Sequence, residues 1–225
     1  DRDAAEKYLF TCYNRLPRHG SASNDPAMLG GHEMYTYHGE AEMSQELLGL
    51  INGTQSSGTP LYNCWNGETS AQGLYQAIRV CNTFLEKIDE VYDLKLTERK
   101  RWVAEVKFLK AYYHFYLIRM YGPIPIMDRY VPVSSSTEEM HPYRETLDSC
   151  FNYVTETLDK VIANPDVPAK IENEAEELGR VTVGMAKALK AKVLVTAASP
   201  LFNGNMDYEV IADNRGVKIF NPVKT

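Results

Sequence analysis

Residues 104–121, AEVKFLKAYYHFYLIRMY, are apolar or aromatic on nearly every side and stop at Gly122-Pro123-Ile124-Pro125. A second stretch, residues 182–199, TVGMAKALKAKVLVTAAS, stops as abruptly at Pro200. Proline lacks a backbone N–H and disfavours helical backbone in the residue before it, so each stop marks a helix end. Aligned on Pro123 and Pro200, Ala111 falls on Ala188, Leu117 on Leu194 and Ile118 on Val195. Small and large apolar residues therefore recur at equivalent depths, which predicts stacked helix pairs. Such a fold presents a surface for holding something, and neither stretch carries a sign of chemistry.

Working outward, an opening helix is expected over residues 3–16, with Ala5, Leu9, Cys12, Tyr13 and Leu16 on one face, ended by Pro17 and Gly20. Residues 17–70 are rich in Gly, Ser, Asn and Thr and lack periodicity, the mark of a functional loop region. From Gln72 the apolar residues Leu74, Ala77, Ile78, Cys81, Phe84, Leu85 and Ile88 follow helical spacing. Thr97 is the expected N-cap of the long helix that follows, with Glu98 near its start. Another helix is expected over 143–162, closed by Asn164-Pro165, and in the last one Ala186, Leu189, Val193, Leu194 and Ala197 are expected to be buried, with Ala188, Ala191 and Ala198 allowing close approach. The expectation is an all-α fold of tetratricopeptide-like helix pairs with long irregular loops. Its segments are 1–70, an opening helix and an irregular ligand-side stretch; 71–205, two helix pairs; and 206–225, the start of a further segment.

Composition narrows the function. The 225 residues are 44% hydrophobic, enough for a real core, and include 15 tyrosines, whose rings join an apolar face to a polar tip. A net charge of −6 argues against a nucleic-acid partner, which needs a basic stripe to replace phosphate counterions. The basic run 95–101 and the acidic run 172–177 read as solvated charge. Cys12, Cys64, Cys81 and Cys150 lack zinc spacing and read as buried free thiols, with one disulfide open in an oxidising compartment. No stretch reaches the roughly 20 apolar residues of a membrane span. The opening Asp1-Arg2-Asp3 reads as helix interior, consistent with an export signal or lipid anchor upstream.

No phosphate loop and no G-x-S-x-G elbow is present, and the carboxylates nominate no catalytic pair. His32, Glu33, His38, Glu40 and Glu42 concentrate possible metal ligands, but their spacing fits no helical metal motif, and no cofactor or metal is expected. His114, inside the aromatic helix, reads as a hydrogen-bonded core histidine. Tyr35, Tyr37, Tyr62 and Trp65 stand among Asn, Gln, Ser and Gly. Aromatic faces stack on the C–H faces of sugars while amides bond the hydroxyls, so these four are the candidate ligand-binding residues. The other reading, that the rings pin loops onto helices, stays open.

Val106-Lys-Phe-Leu-Lys-Ala-Tyr-Tyr-His-Phe-Tyr-Leu with Tyr121-Gly-Pro-Ile-Pro, Gly179-Arg-Val-Thr, Ala188-Leu-Lys-Ala-Lys-Val-Leu and Ala198-Ser-Pro-Leu-Phe-Asn-Gly together resemble the SusD/RagB family. The helix from Tyr75, with Arg79 and Asn82, resembles the family's preceding helix, so the likeness covers about residues 72–205. It implies a surface-exposed outer-membrane lipoprotein, held by a lipid anchor absent from this chain. Such a protein captures oligosaccharide or polysaccharide and works with a SusC-like TonB-dependent transporter. It implies capture without enzymatic activity, with this chain as the N-terminal portion of a longer protein. Gly39-Glu-Ala-Glu-Met stands where the family often has Thr-Asp-Glu, and Cys12 is not the family's anchoring cysteine. The competing expectations are a helical scaffold for a peptide or protein and, weakest, a glycan-processing enzyme.

Overall fold

The computed structural model describes residues 1–17, 19–20, 25, 45–67 and 72–220. Among them the chain is helical: α1 (Arg2–Tyr13), α2 (Gln45–Ile51), α3 (Leu74–Lys87), α4 (Leu96–Tyr121), α5 (Leu147–Ile162) and α6 (Val183–Ala197), with a 3-10 turn Ile88–Glu90 and short helical turns Thr137–Met140 and Glu174–Glu177. The described residues form no strand, only an isolated antiparallel bridge between Ala212 and Lys218. The all-α, helix-pair expectation holds.

The chain divides into two compact units, Asp1–Tyr13 with Ile78–Thr225, and Asn14–Ala77. The opening helix thus groups with the later helices, apart from the irregular stretch that follows it. In the first unit α4 packs on α5, α5 on α6, and α1 on α4. The reason α4 sits at the centre is its composition. Trp102, Val106, Leu109, Ala111, Tyr113, Leu117 and Ile118 are all buried, and they point in different directions around the helix. Each large side chain so buried contributes roughly 1.5–3 kcal/mol. On α1, Leu9 and Cys12 are fully buried, and the Tyr113 hydroxyl donates to the Cys12 carbonyl at 2.5 Å.

Helix ends differ from expectation by a few residues. Helix α4 begins at Leu96 with Lys95 in the N-cap position and no side-chain cap, so Thr97 lies inside the helix. Helix α1 ends at Tyr13, short of Leu16, and α5 starts at Leu147, where the Thr146 hydroxyl accepts from the Ser149 N–H at 3.3 Å. The terminus of α4 is as expected: Gly122 adopts φ 69, a conformation glycine takes without strain, and a Cβ there would stand 3.0 Å from the Phe220 ring.

The repeat register also needs correction at α6. Ala186, Leu189 and Val193 are buried as expected, but Leu194 is 51% exposed, and Ala188, Ala191 and Ala198 face solvent. Val195, the counterpart of fully buried Ile118, is 73% exposed. Among the described residues only the side of α6 turned to α5 and α4 is covered, and Lys187 and Lys192 share the exposed side with Leu194 and Val195.

After α4 the chain is clamped rather than loose. Asn82 donates from Nδ2 to the carbonyls of Met127 (2.9 Å) and Arg129 (3.0 Å). Lys110 Nζ reaches Asn82 Oδ1 at 3.0 Å, the Asp128 carbonyl at 2.6 Å and its carboxylate at 3.1 Å. His114 accepts from the Met127 N–H at 3.2 Å on Nε2, which leaves Nδ1–H to donate to the Lys110 carbonyl at 2.8 Å. His114 is the core histidine the sequence predicts, neutral, with burial pushing its pKa down to about 4.

Candidate functional site

The second unit holds the described part of the stretch the sequence marks for ligand contact. Its order is set by local hydrogen bonds that polar turn residues supply. Buried Asn63 accepts through Oδ1 from the N–H groups of Trp65 (3.0 Å) and Asn66 (3.1 Å), an Asx-type turn. The Gly67 N–H closes onto the Asn63 carbonyl at 3.0 Å, and the Leu74 N–H onto the Cys64 carbonyl at 2.8 Å. Gly67 has φ 81, and a Cβ there would lie 2.5 Å from the Gly73 backbone nitrogen, so the turn requires glycine on both counts.

This turn sets Trp65 against Tyr75 of α3, ring centroids 4.8 Å apart and planes at 60°, an edge-to-face pair. Both rings are half-buried, so each keeps an accessible part. Asn66 and Gln76 are exposed beside them, and Gln76 Nε2 donates to the Asn66 carbonyl at 3.0 Å. An apolar ring surface bordered by amides is a surface that can stack on one molecule and hydrogen-bond it at once.

Of the four residues nominated from sequence, Trp65 is on this surface. Tyr62 is 6% exposed and belongs to the interior of the unit, its N–H donating to Gln55 Oε1 at 3.0 Å. Tyr35 and Tyr37 lie outside the described residues, as do His32, Glu33, His38, Glu40 and Glu42. Tyr75 is the partner the sequence reading missed as a site residue. The available signal was its place one residue beyond Leu74, off the apolar stripe of α3.

Other features are occupied by structure. A cleft of about 480 Å³ in the first unit is lined by Arg2, Glu98, Arg101, Trp102, Glu177 and Arg180, among others. Its charges already pair with one another: Arg2 with Glu98, and Arg101 (2.8 Å) and Arg180 (3.2 Å) with Glu177. The basic and acidic runs of the sequence thus meet here instead of standing free. Burial pushes the Cys64 thiol up to about 12 and the Cys150 thiol up to about 11, so neither is a nucleophile near neutral pH. Among the described residues no three His, Cys, Asp or Glu side chains converge as a metal site.

Among solved structures, the chain is similar to BT4246, with 28% identity and a TM-score of 0.78 over 99% of this chain and 36% of that one. It is similar to the surface glycan-binding protein A from Bacteroides uniformis, at 21% identity and TM-score 0.68 over 86% of this chain and 42% of that one. It is also similar to the surface glycan-binding protein A from Bacteroides thetaiotaomicron in complex with laminarihexaose, at 17% identity and TM-score 0.64 over 85% and 38% of the two chains. The two lower identities speak to fold. The chain spans little more than a third of the length of BT4246. No curated protein matches it. The model of a SusD-like family, described as "Starch-binding associating with outer membrane", matches residues 37–194. With well over half of its length matched, and with the helical framework of solved SusD-like proteins, the chain belongs to the SusD-like family.

Proposed function

We propose that the intact protein captures an oligosaccharide at the outer-membrane surface and passes it to a TonB-dependent transporter, with no bond made or broken. The observation that carries this reading is the Trp65–Tyr75 pair bordered by exposed Asn66 and Gln76. A sugar ring offers axial C–H groups on one face and hydroxyls around its rim, and this surface answers both. Tyr35 and Tyr37 extend the platform in this proposal, and Tyr62 supports it from within the unit. The family's description as starch-binding and a relative's complex with laminarihexaose support a glucan as the first ligand to try. A lipid anchor upstream would hold the protein at the membrane.

The test is calorimetric titration of the intact protein with a polysaccharide panel that includes laminarihexaose. Wild type is expected to bind at least one glycan, and Trp65→Ala to weaken it roughly tenfold, about 1.4 kcal/mol, with an unchanged Tm. Unchanged affinity in Trp65→Ala would move the site elsewhere. Failure of wild type to bind any glycan would overturn the ligand class. Pull-down of a TonB-dependent transporter from the native membrane tests the partner separately.

A further inference from the structure

Two of the four cysteines meet. Cys12, on the last turn of α1, and Cys81, in the middle of α3, are free thiols at 0% exposure, and Cys12 is the neighbour that most pushes the Cys81 thiol up. The helices carrying them also touch one turn away, through the stacked rings of Tyr8 and Phe84 with centroids 6.2 Å apart. The Tyr113 hydroxyl fixes the Cys12 carbonyl from α4. Cys150 is engaged elsewhere, with its thiol on the Ile124 carbonyl at 3.5 Å.

The position of the pair in the chain is as informative as the contact. Cys12 stands next to the junction where the chain leaves the helical unit after Tyr13, and Cys81 stands just beyond the point where it returns at Ile78. Between them lies the whole unit Asn14–Ala77, which carries Trp65 and Tyr75, flanked only by Tyr13 and residues 78–80. A covalent bond here would tie the two ends of that unit to the helical framework and remove loop-closure entropy from the unfolded chain, a gain that grows with loop length.

We propose that Cys12 and Cys81 form a disulfide in the exported protein. This rests on the outer-surface reading above, because disulfides persist in the oxidising envelope and not in the cytosol. The oxidant is the disulfide of an envelope thiol oxidoreductase. One cysteine thiolate attacks it and displaces one oxidant thiolate, giving a mixed disulfide; the second cysteine thiolate then attacks the protein sulfur and releases the reduced oxidant. Two S–H bonds are lost and one S–S bond forms, while the two electrons and two protons end on the oxidant dithiol. Because both sulfurs are buried in the folded unit, exchange takes place before α1 and α3 close on each other. Cys64 and Cys150 stay as thiols.

The experiment is peptide mapping of the full-length protein taken from its native membrane, denatured directly into an alkylating agent. The expected result is a Cys12–Cys81 linked peptide, with Cys64 and Cys150 alkylated. Full-length protein, reduced and unfolded in denaturant, is then refolded in glutathione redox buffers, where the same link should return and Tm should rise by several degrees. In Cys12→Ala/Cys81→Ala protein, reductant should leave Tm unchanged. Four alkylated cysteines in the native protein, with a pair that oxidises readily in the buffer, would overturn the proposal through the compartment and count against the outer-surface reading. A pair that resists the buffer, or a link through Cys64 or Cys150, would overturn it through the geometry and leave that reading standing.

Discussion

His114 is the residue at which burial has the clearest energetic consequence. It is 0% exposed, neutral, and hydrogen-bonded on both nitrogens to the backbone, to Lys110 and Met127. A proton on Nε2 would oppose the Met127 N–H and meet the nearby Lys110 cation, so the folded protein resists it. Its pKa of about 4 lies below the 6.5 of an unfolded histidine. Between those values the unfolded chain binds a proton that the folded chain does not, so this contribution is whole above about pH 6.5 and is lost as pH falls toward 4. The loss amounts to about 3 kcal/mol. Urea unfolding at pH 7 and pH 4.5 should show a steeper fall for wild type than for His114→Gln, and equal slopes would mean that His114 titrates normally in the fold. Sequence identified His114 as a core residue from its apolar neighbours. It could not reveal that Asn82, Lys110 and Asp128 converge beside it, because their contacts join distant parts of the chain.

At the scale of elements, α4 and α6 illustrate what periodicity does and does not encode. Helix α4 reads as apolar on nearly all sides, α6 as buried along one side with alanines for close approach beside it, and both stop at a proline at the same register. For α4 the reading is right all round, since α1 and α5 both pack on it. For α6 it is right at Ala186, Leu189 and Val193 and not at the alanines beside them. A helical pattern states which faces can be buried, whereas coverage depends on elements that the pattern does not contain. The two alanines placed in register, Ala111 and Ala188, should therefore respond differently. Ala111 is 0% exposed, and Ala111→Leu forces three extra heavy atoms into a packed contact, costing about 1–3 kcal/mol. Ala188 is exposed, and Ala188→Leu in this chain should change stability by no more than about 0.5 kcal/mol. Chemical denaturation of the two variants checks this, and equal costs would show that the α6 outer face is covered. The same limit explains Tyr62 and Trp65. Neighbouring aromatics in an aperiodic stretch look alike in sequence, and only the Asn63 turn decides that one ring goes inward and the other meets Tyr75.

For the whole molecule, the framework was legible because each helix writes its own pattern and stop, while the groups that join remote segments of the helical unit were not. Glu105 is the chief example. It is a carboxylate with 0% exposure in the middle of α4, a position that sequence alone would assign to a solvated face or to an error. Its charge is met by Arg180 at 2.8 Å from the segment before α6 and by Arg101 at 3.0 Å from its own helix. Tyr13, at the end of α1, donates to it at 2.6 Å and accepts from the Val181 N–H at 3.1 Å. Burial, reinforced by Glu105, pushes the Tyr13 hydroxyl above its ordinary range, so it remains a donor at every physiological pH. Three chain segments far apart in sequence are thus fixed at one buried point. A buried ion pair adds little over an apolar replacement of the whole set, but removing one member strands the others without solvent. Glu105→Leu should therefore cost about 3–5 kcal/mol, because Arg180 and Arg101 are left with Glu177 alone and the Tyr13 hydroxyl loses its acceptor. Glu105→Leu combined with Arg180→Met should recover part of that loss, since the stranded charge of Arg180 goes with it. Raised salt should leave the wild-type contribution nearly intact, unlike that of the more exposed Arg2–Glu98 pair, because mobile ions do not reach a group at 0% exposure. Denaturation of the two variants at low and high salt reads all three expectations, and a double variant no more stable than Glu105→Leu alone would show that Glu105 acts through packing and not as the counter-charge of Arg180.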